Sequence, residues 1–119
     1  MARNLLLVFS NPSEGKEDAY NDWYDQEHLQ EVVALPEFVS ARRFRLAADQ
    51  LEGGAESEHR YLAVYEFEGE PKDALARLRG ELAAGTIVLP AEIEQETILA
   101  WAYAARGEGI SSPSAGAGQ

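Results

Sequence analysis

The stretch Tyr20–His28 holds the side chains of this chain that are best suited to chemistry. A spacing of four residues would place Tyr20, Tyr24 and His28 on one face of a helix, with Trp23 one step round. An imidazole has an ordinary pKa of about 6.5, so His28 could accept or donate a proton at neutral pH. The hydroxyl of a buried tyrosine could donate a hydrogen bond to an oxygen atom of a ligand. This helix is therefore predicted to carry the functional site.

The candidate catalytic residues are His28, Tyr24 and Asp25. His28 is assigned the role of general acid or base. Asp25 lies one helical turn before it, which is close enough to orient the imidazole. Tyr24 is assigned as a donor to a substrate oxygen, because a buried phenol needs a partner. The alternative is that His28 is a core histidine hydrogen-bonded to the sheet, with aromatic neighbours that only pack against it.

Further side chains are assigned to substrate binding because they could line a cavity beside this helix. Tyr61 and Tyr65 share one face of a predicted strand. Trp101 could face either the cavity or a dimer interface, and Arg43 belongs to a cluster of arginines that could hold an anionic group or remain solvated. The full set is Tyr20, Trp23, Tyr61, Tyr65, Arg43 and Trp101. The other histidine, His59, is expected to be a solvated residue at a strand edge.

Hydrophobic periodicity and turn residues predict four strands and two helices. The strands are predicted at residues 4–10, 38–47, 60–68 and 96–105, and the helices at about residues 16 to 33 or 34 and 71–84. Pro36 ends the first helix and Gly85 the second, and the polar segment 48–58 with Gly53 and Gly54 is expected to be a loop. The order βαββαβ predicts an α+β, ferredoxin-like fold, in which a four-stranded antiparallel sheet carries both helices on one face.

Both faces of the predicted sheet are apolar. In the first strand, Leu5, Leu7 and Phe9 alternate with Leu6 and Val8. An antiparallel sheet with water on one face should instead alternate apolar with polar residues. Because the helices can cover only one face, the other face is predicted to pack against the sheet of a second copy in a two-fold homodimer.

These features resemble EthD-like members of the dimeric α+β-barrel superfamily. The resemblance rests on the motif Tyr20-x-x-Trp23-Tyr24-Asp25-x-x-His28, followed by Leu35-Pro36-x-Phe38-x-x-Ala41-x-Arg43-Phe44. It covers about residues 20–46, and the order of elements extends it to about residue 105. The resemblance implies a small-molecule cavity between the first helix and the sheet, with His28 as the motif histidine. Glu37 stands where the family usually has glycine.

The resemblance is more specific for the fold than for a reaction. The wider superfamily includes cofactor-independent cyclases, decarboxylases and monooxygenases, lactone isomerases and haem-degrading enzymes. The first hypothesis is therefore cofactor-independent proton transfer, or oxygenation, on a flat oxygenated compound that is polyketide-like or aromatic, with His28 as acid or base. The alternative is a dimeric protein that binds a hydrophobic ligand without changing it. A third hypothesis, haem binding, rests on the single helix histidine.

Composition excludes several other classes of function. The 119 residues are enough for one domain, predicted at residues 1–105, followed by a disordered Gly/Ser/Ala-rich tail at residues 106–119. The net charge of −11 disfavours nucleic acid and anionic membrane surfaces as partners. Without cysteine and with scattered acids, no metal site and no cofactor are predicted. The N-terminal apolar run is too short for a signal or a membrane span, so a cytoplasmic location is expected.

Overall fold

The computed structural model describes residues 3–52 and 57–113, so the predicted Gly53–Gly54 turn lies outside the described residues. The elements in chain order are β1 (Asn4–Ser10), α1 (Glu17–Trp23), a π-helical turn (Tyr24–His28), α2 (Leu29–Val33), β2 (Phe38–Arg45), β3 (Tyr61–Phe67), α3 (Pro71–Ala84), a 3-10 turn (Gln95–Thr97) and β4 (Leu99–Tyr103). We refer to α1, the π-helical turn and α2 together as the first helix, and to residues 86–98 as the connecting segment.

The four strands form one antiparallel sheet in the order β2-β3-β1-β4. In the central pair, Leu6 lies opposite Tyr65 and Val8 lies opposite Ala63. The inner face of the sheet shares a core with the first helix and with α3, because Tyr20, Val32 and Ala74 are buried in the same cluster as the inner-face residues. The predicted α+β architecture, with its antiparallel sheet and its helices on one face, is therefore confirmed.

Helix α3 ends at Ala84 and strand β1 begins at Asn4, as the sequence predicted. Pro71 occupies the first turn of α3, where its missing N–H costs nothing. Gly85 ends the helix with φ +78°, a left-handed conformation that a residue with a Cβ rarely adopts. The second, third and fourth strands are shorter than predicted, because β2 ends at Arg45, β3 runs from Tyr61 to Phe67, and a 3-10 turn occupies the predicted start of β4.

The first helix contains a wide π turn that its hydrophobic pattern did not reveal. The amide of Leu29 donates to the carbonyl oxygen of Tyr24, five residues back, where an α-helix would bond four residues back. The wide turn places the ring of His28 against that of Trp23, with centroids 4.6 Å apart and planes 18° from parallel. Such turns are uncommon, and they occur frequently at functional sites.

A bulge at the start of β2 changes the face on which one aromatic residue lies. The register shifts between Phe38 and Ser40, so Phe38 points into the core opposite Phe67 while Ser40 lies opposite Glu66 on the outer face. Regular alternation along the strand would place Phe38 on the same side as Ser40, Arg42 and Phe44. The extra residue in the strand moves Phe38 to the inner face, where only 5% of its surface is exposed.

The outer face of the sheet is not covered by the helices and is mainly apolar, although Ser40, Arg42 and Glu66 also lie on it. Its residues come from all four strands, because antiparallel partners point to the same side. Leu5, Leu7 and Phe9 of β1 lie opposite Tyr103, Trp101 and Leu99 of β4. Trp101 remains 53% exposed and Tyr103 57% exposed. A face of this kind normally has a binding partner.

His59 is buried, which contradicts the expectation of a solvated strand-edge residue. Its Nε2 donates to the carbonyl oxygen of Thr97 at 2.6 Å, and its ring lies 5.8 Å from that of Phe9. Asn11 reinforces the same junction, since its side chain donates to the carbonyl of Glu58 and accepts from the amide of Arg60. The His59 bond holds the connecting segment against the start of β3, and the two Asn11 bonds hold that start against the end of β1.

Candidate functional site

A cavity of about 210 Å³ lies between the sheet, the first helix, α3 and the connecting segment. Its walls are mainly aliphatic, with Leu6 and Val8 from β1, Leu75 and Leu78 from α3, and Ile87 and Ile93 from the connecting segment. Four polar side chains also line it, namely Tyr24, His28, Tyr65 and Arg79. Ligand pockets typically measure about 300–1,000 Å³, so this cavity fits a molecule of about one ring.

His28 lines the cavity and is held by a carboxylate behind it. The ring is 8% exposed, and its Nδ1 donates to Oε1 of Glu31 at 3.3 Å. In the neutral ring this bond fixes the proton on Nδ1, which leaves the lone pair on Nε2. Burial lowers the pKa of His28 below its ordinary value, and Glu31 opposes that shift. The environment therefore favours a neutral imidazole, which is the form of a general base.

Two tyrosine hydroxyls supply the cavity with hydrogen-bond donors. Tyr24 and Tyr65 are each 1% exposed, and both line the cavity. Burial raises the pKa of Tyr24 to about 12 and that of Tyr65 well above 10, so both stay protonated at neutral pH. Within residues 3–52 and 57–113, the Tyr65 hydroxyl has no hydrogen-bond partner. A buried donor left unpaired costs about 1–3 kcal/mol, so this hydroxyl is suited to a ligand oxygen.

Arg43 does not line the cavity; it lies on the opposite side of Tyr24. Its guanidinium donates to Asp25 and to Asn21, each at 2.9 Å. The same group lies over three tyrosine rings, at 4.4 Å from the centroid of Tyr24, 5.0 Å from that of Tyr61 and 5.1 Å from that of Tyr20. Arg43 thus ties β2 to the first helix and backs the ring of Tyr24.

Asp25 does not orient His28. Its carboxylate accepts from Arg43, and the carboxylate that bonds the imidazole belongs to Glu31, one turn after the histidine. Both acids lie three residues from His28, so helix spacing alone could not choose between them. Because Arg43 of β2 pairs with Asp25, Glu31 is the acid that bonds the imidazole.

The other predicted substrate-binding residues are not among those that line the cavity. Tyr20 is fully buried and shares a 2.6 Å hydrogen bond with Ser10, while Tyr61 donates to Glu17 near the surface. Trp23 covers the imidazole by stacking. Trp101 lies on the outer face of the sheet. The structure therefore brings Tyr24, His28 and Tyr65 together at the cavity and leaves the remaining predicted residues outside it.

Solved structures with the same architecture were found by comparison of the folds. A DABB family protein with a ferredoxin-like fold from Mesorhizobium loti MAFF303099 superimposes with a TM-score of 0.56 at 13% identity, over 90% of this chain and 100% of that chain. An ethyl tert-butyl ether D (EthD) family protein from Bacillus halodurans C-125 gives a TM-score of 0.54 at 13% identity, over 92% of this chain and 100% of that chain. A candidate monooxygenase from Shewanella loihica PV-4 gives 0.52 at 15% identity, over 92% and 97%.

The fold is ferredoxin-like. The resemblance that the motif suggested is thus matched by a solved EthD family structure at the level of fold. No protein family model matches this chain, and no curated protein sequence matches it significantly.

Within this ferredoxin-like domain, sequence reasoning missed two residues of the site. Glu31 follows His28 at a spacing of three, so it was as readable as Asp25. Arg79 lies next to Leu78 in the apolar stripe of α3, and a helical wheel places it at the edge of that stripe. The signal that could have identified Arg79 is a cationic residue at the border of an apolar stripe.

Two features are absent from the described residues. Across residues 3–52 and 57–113, no cluster of three or more His, Cys, Asp or Glu side chains is arranged to hold a metal ion. In the same part of the chain, no helix has the length and apolar character to cross a membrane.

Proposed function

We propose that this protein binds a small, mostly apolar compound with a carbonyl oxygen and removes a proton from the carbon next to that carbonyl. His28 is the base, and Tyr65 donates a hydrogen bond to the oxygen. The observation that supports this proposal most directly is the unpaired, buried hydroxyl of Tyr65, a residue that lines the same cavity as His28. The fold likeness supports a small-molecule enzyme or binding protein of this architecture.

The proposed step transfers one proton and moves one electron pair. Nε2 of His28 takes the proton from the carbon, and the C–H electrons move to form a carbon–carbon double bond while the carbonyl oxygen becomes negative. The Tyr65 hydroxyl stabilises that oxygen, and Glu31 stabilises the imidazolium through Nδ1. Return of the proton to another atom completes an isomerisation. Attack of the enolate carbon on a second carbonyl carbon of the same molecule, with the proton going to the new alkoxide, completes a cyclisation. Oxygenation, the activity in the name of the Shewanella loihica protein, would begin from the same enolate.

The step can be tested without knowing the natural substrate. In D₂O, the protein should catalyse exchange of the α-protons of propiophenone, a neutral single-ring ketone, as followed by loss of the α-proton signal in ¹H NMR. Free imidazole at the same concentration serves as the reference. Exchange no faster than that reference, despite binding of the ketone, would favour the alternative function of a binding protein that leaves its hydrophobic ligand unchanged.

Exchange should depend on pH in a direction set by the burial of His28. Only the neutral ring can act as a base, and burial lowers the pKa of His28 below 6.5. The rate should therefore rise with pH through a midpoint below 6.5 and level off at neutral pH. Replacement of Glu31 by Gln removes the negative charge that raises the pKa of His28 and leaves only a neutral acceptor for Nδ1, so the midpoint should move to lower pH. A midpoint that stays in place, or moves upward, would contradict the role given to Glu31.

We further propose that two copies pack outer face to outer face as a homodimer. Support comes from the apolar residues that all four strands place on that face and from the half-exposed Trp101 and Tyr103. Dimers of this kind have closed two-fold symmetry, so each residue of the face contributes twice. The cavity lies on the inner side of each sheet and does not need residues from the second copy.

Replacement of Trp101 by Glu should dissociate this dimer. A charge buried at an aromatic position of an interface typically costs 2 kcal/mol or more, which corresponds to about a thirtyfold weaker association. Sedimentation velocity at micromolar concentration measures the effect. Leu51→Glu is the matched control, because Leu51 is fully exposed outside the sheet. Wild-type protein that sediments as a monomer throughout would reject the dimer.

A further inference from the structure

The lining of the cavity carries one permanent charge, and that charge is positive. Arg79 lines the cavity from α3, and neither Asp nor Glu lines it among the described residues. Arg77, two residues earlier on the same helix, forms an ion pair with Glu37 at 2.9 Å. Arg79 has no such ion pair within residues 3–52 and 57–113. Arg79 is an exposed residue, so it lies at the solvent side of the apolar lining.

The other end of the polar lining is neutral and buried. Tyr65 lines the cavity from β3 in the middle of the sheet, whereas Arg79 lines it from α3. Tyr65 as a residue is 1% exposed. Its hydroxyl has no hydrogen-bond partner in the described part of the chain, and it stays protonated. It can donate to an acceptor oxygen, and it carries no negative charge that would favour a cation.

We infer that the ligand of this cavity is a small keto acid, whose carboxylate binds Arg79 and whose ketone oxygen accepts from Tyr65. This inference rests on the proposed function and specifies its substrate class. The aliphatic walls between the two polar ends bind the ring or short chain that joins the two groups. Guanidinium and carboxylate form charge-assisted, often bidentate hydrogen bonds, which makes arginine the appropriate side chain for that end.

Three related probes separate the two ends of the ligand. The first is 4-oxo-4-phenylbutanoate, which has both groups; the second is its methyl ester, which lacks the charge; the third is 4-phenylbutanoate, which lacks the ketone. Dissociation constants are measured by isothermal titration at low salt. We expect the keto acid to bind about fivefold more tightly than its ester and about tenfold more tightly than the acid without the ketone.

Two substitutions assign those preferences to residues. Arg79→Gln should abolish the preference for acid over ester, whereas the control Arg77→Gln should retain it, because Arg77 lies outside the cavity and is paired with Glu37. Tyr65→Phe should weaken the keto acid about tenfold and leave 4-phenylbutanoate unchanged. Added salt should reduce the acid preference and leave the ketone preference in place.

The outcomes distinguish this inference from the proposed function. The inference of a keto acid ligand would be overturned if the wild type bound acid and ester equally, or if the preference for the acid survived Arg79→Gln. Failure of all three probes to bind would also overturn it. Exchange of the neutral propiophenone would still support the proposed proton transfer in each of those cases. Conversely, tight and Arg79-dependent binding of the keto acid without exchange of its α-protons would support the ligand class and reject the reaction.

Discussion

Replacement of His28 by Asn is expected to slow the exchange of ketone α-protons by about a hundred- to ten-thousand-fold, the usual contribution of a general base. The asparagine amide can take over the donor role of Nδ1 toward Glu31 and so keep the local packing. It has no basic nitrogen at the position of Nε2, so proton removal is lost while ligand binding remains. Initial exchange rates at saturating ketone measure the effect.

His59 provides the matched control for this experiment. Both histidines are 8% exposed, but His59 bonds to Thr97 and does not line the cavity. His59→Gln keeps a donor in the position of Nε2 and should leave the exchange rate within about twofold, a difference of under 0.5 kcal/mol in barrier. Recovery of exchange in His28→Asn on addition of free imidazole would show that a base alone was missing. Wild-type rates in His28→Asn would reject the catalytic role of His28.

Replacement of Arg43 by Ala is expected to lower the free energy of unfolding by about 3 kcal/mol. Two charge-assisted hydrogen bonds, to Asp25 and Asn21, would be lost together with the contacts to three tyrosine rings. Hydrogen bonds to charged groups contribute about 1.5–3 kcal/mol each, and cation–π contacts about 0.5–2. The Nε of Arg43 is buried without a partner in the described residues, which offsets part of that gain.

Urea unfolding at one fixed protein concentration measures the change, since a dimer would make the midpoint depend on concentration. Arg60→Ala is the control, because the Arg60 side chain is 54% exposed and its pair with Glu17 should contribute under about 1 kcal/mol. Arg43→Lys should recover only part of the loss, since an ammonium lacks the planar fork that reaches both partners. A loss for Arg43→Ala no larger than that for Arg60→Ala would contradict this account.

The architecture could be predicted because each element carries its own local signal. The spacing of Tyr20, Tyr24, His28 and Val32 placed one buried face on the first helix, and all four residues are buried. Pro71 and Gly85 marked the ends of α3 through backbone preferences that hold in any context. The alternation of strand residues assigned both faces of β1, β3 and β4 correctly.

The site was less predictable because its details depend on contacts between distant segments. The choice between Asp25 and Glu31 as the partner of His28 depends on Arg43, which lies on another element. Tyr61 and Tyr65 share a strand face, yet only Tyr65 reaches the cavity, because Tyr61 lies at the strand end beside Glu17. The bulge before Ser40 and the π turn alter hydrogen-bond register without altering the pattern of apolar residues.

The positions of the two tryptophans give the chain separate optical reporters for its two surfaces. Trp23 lies in ring contact with the imidazole beside the cavity, and Trp101 lies half exposed on the opposite side of the sheet. Indole emission responds to the polarity and charge of its immediate surroundings. Spectra of single-tryptophan variants would therefore follow occupancy of the cavity and association of two copies independently, without any attached label.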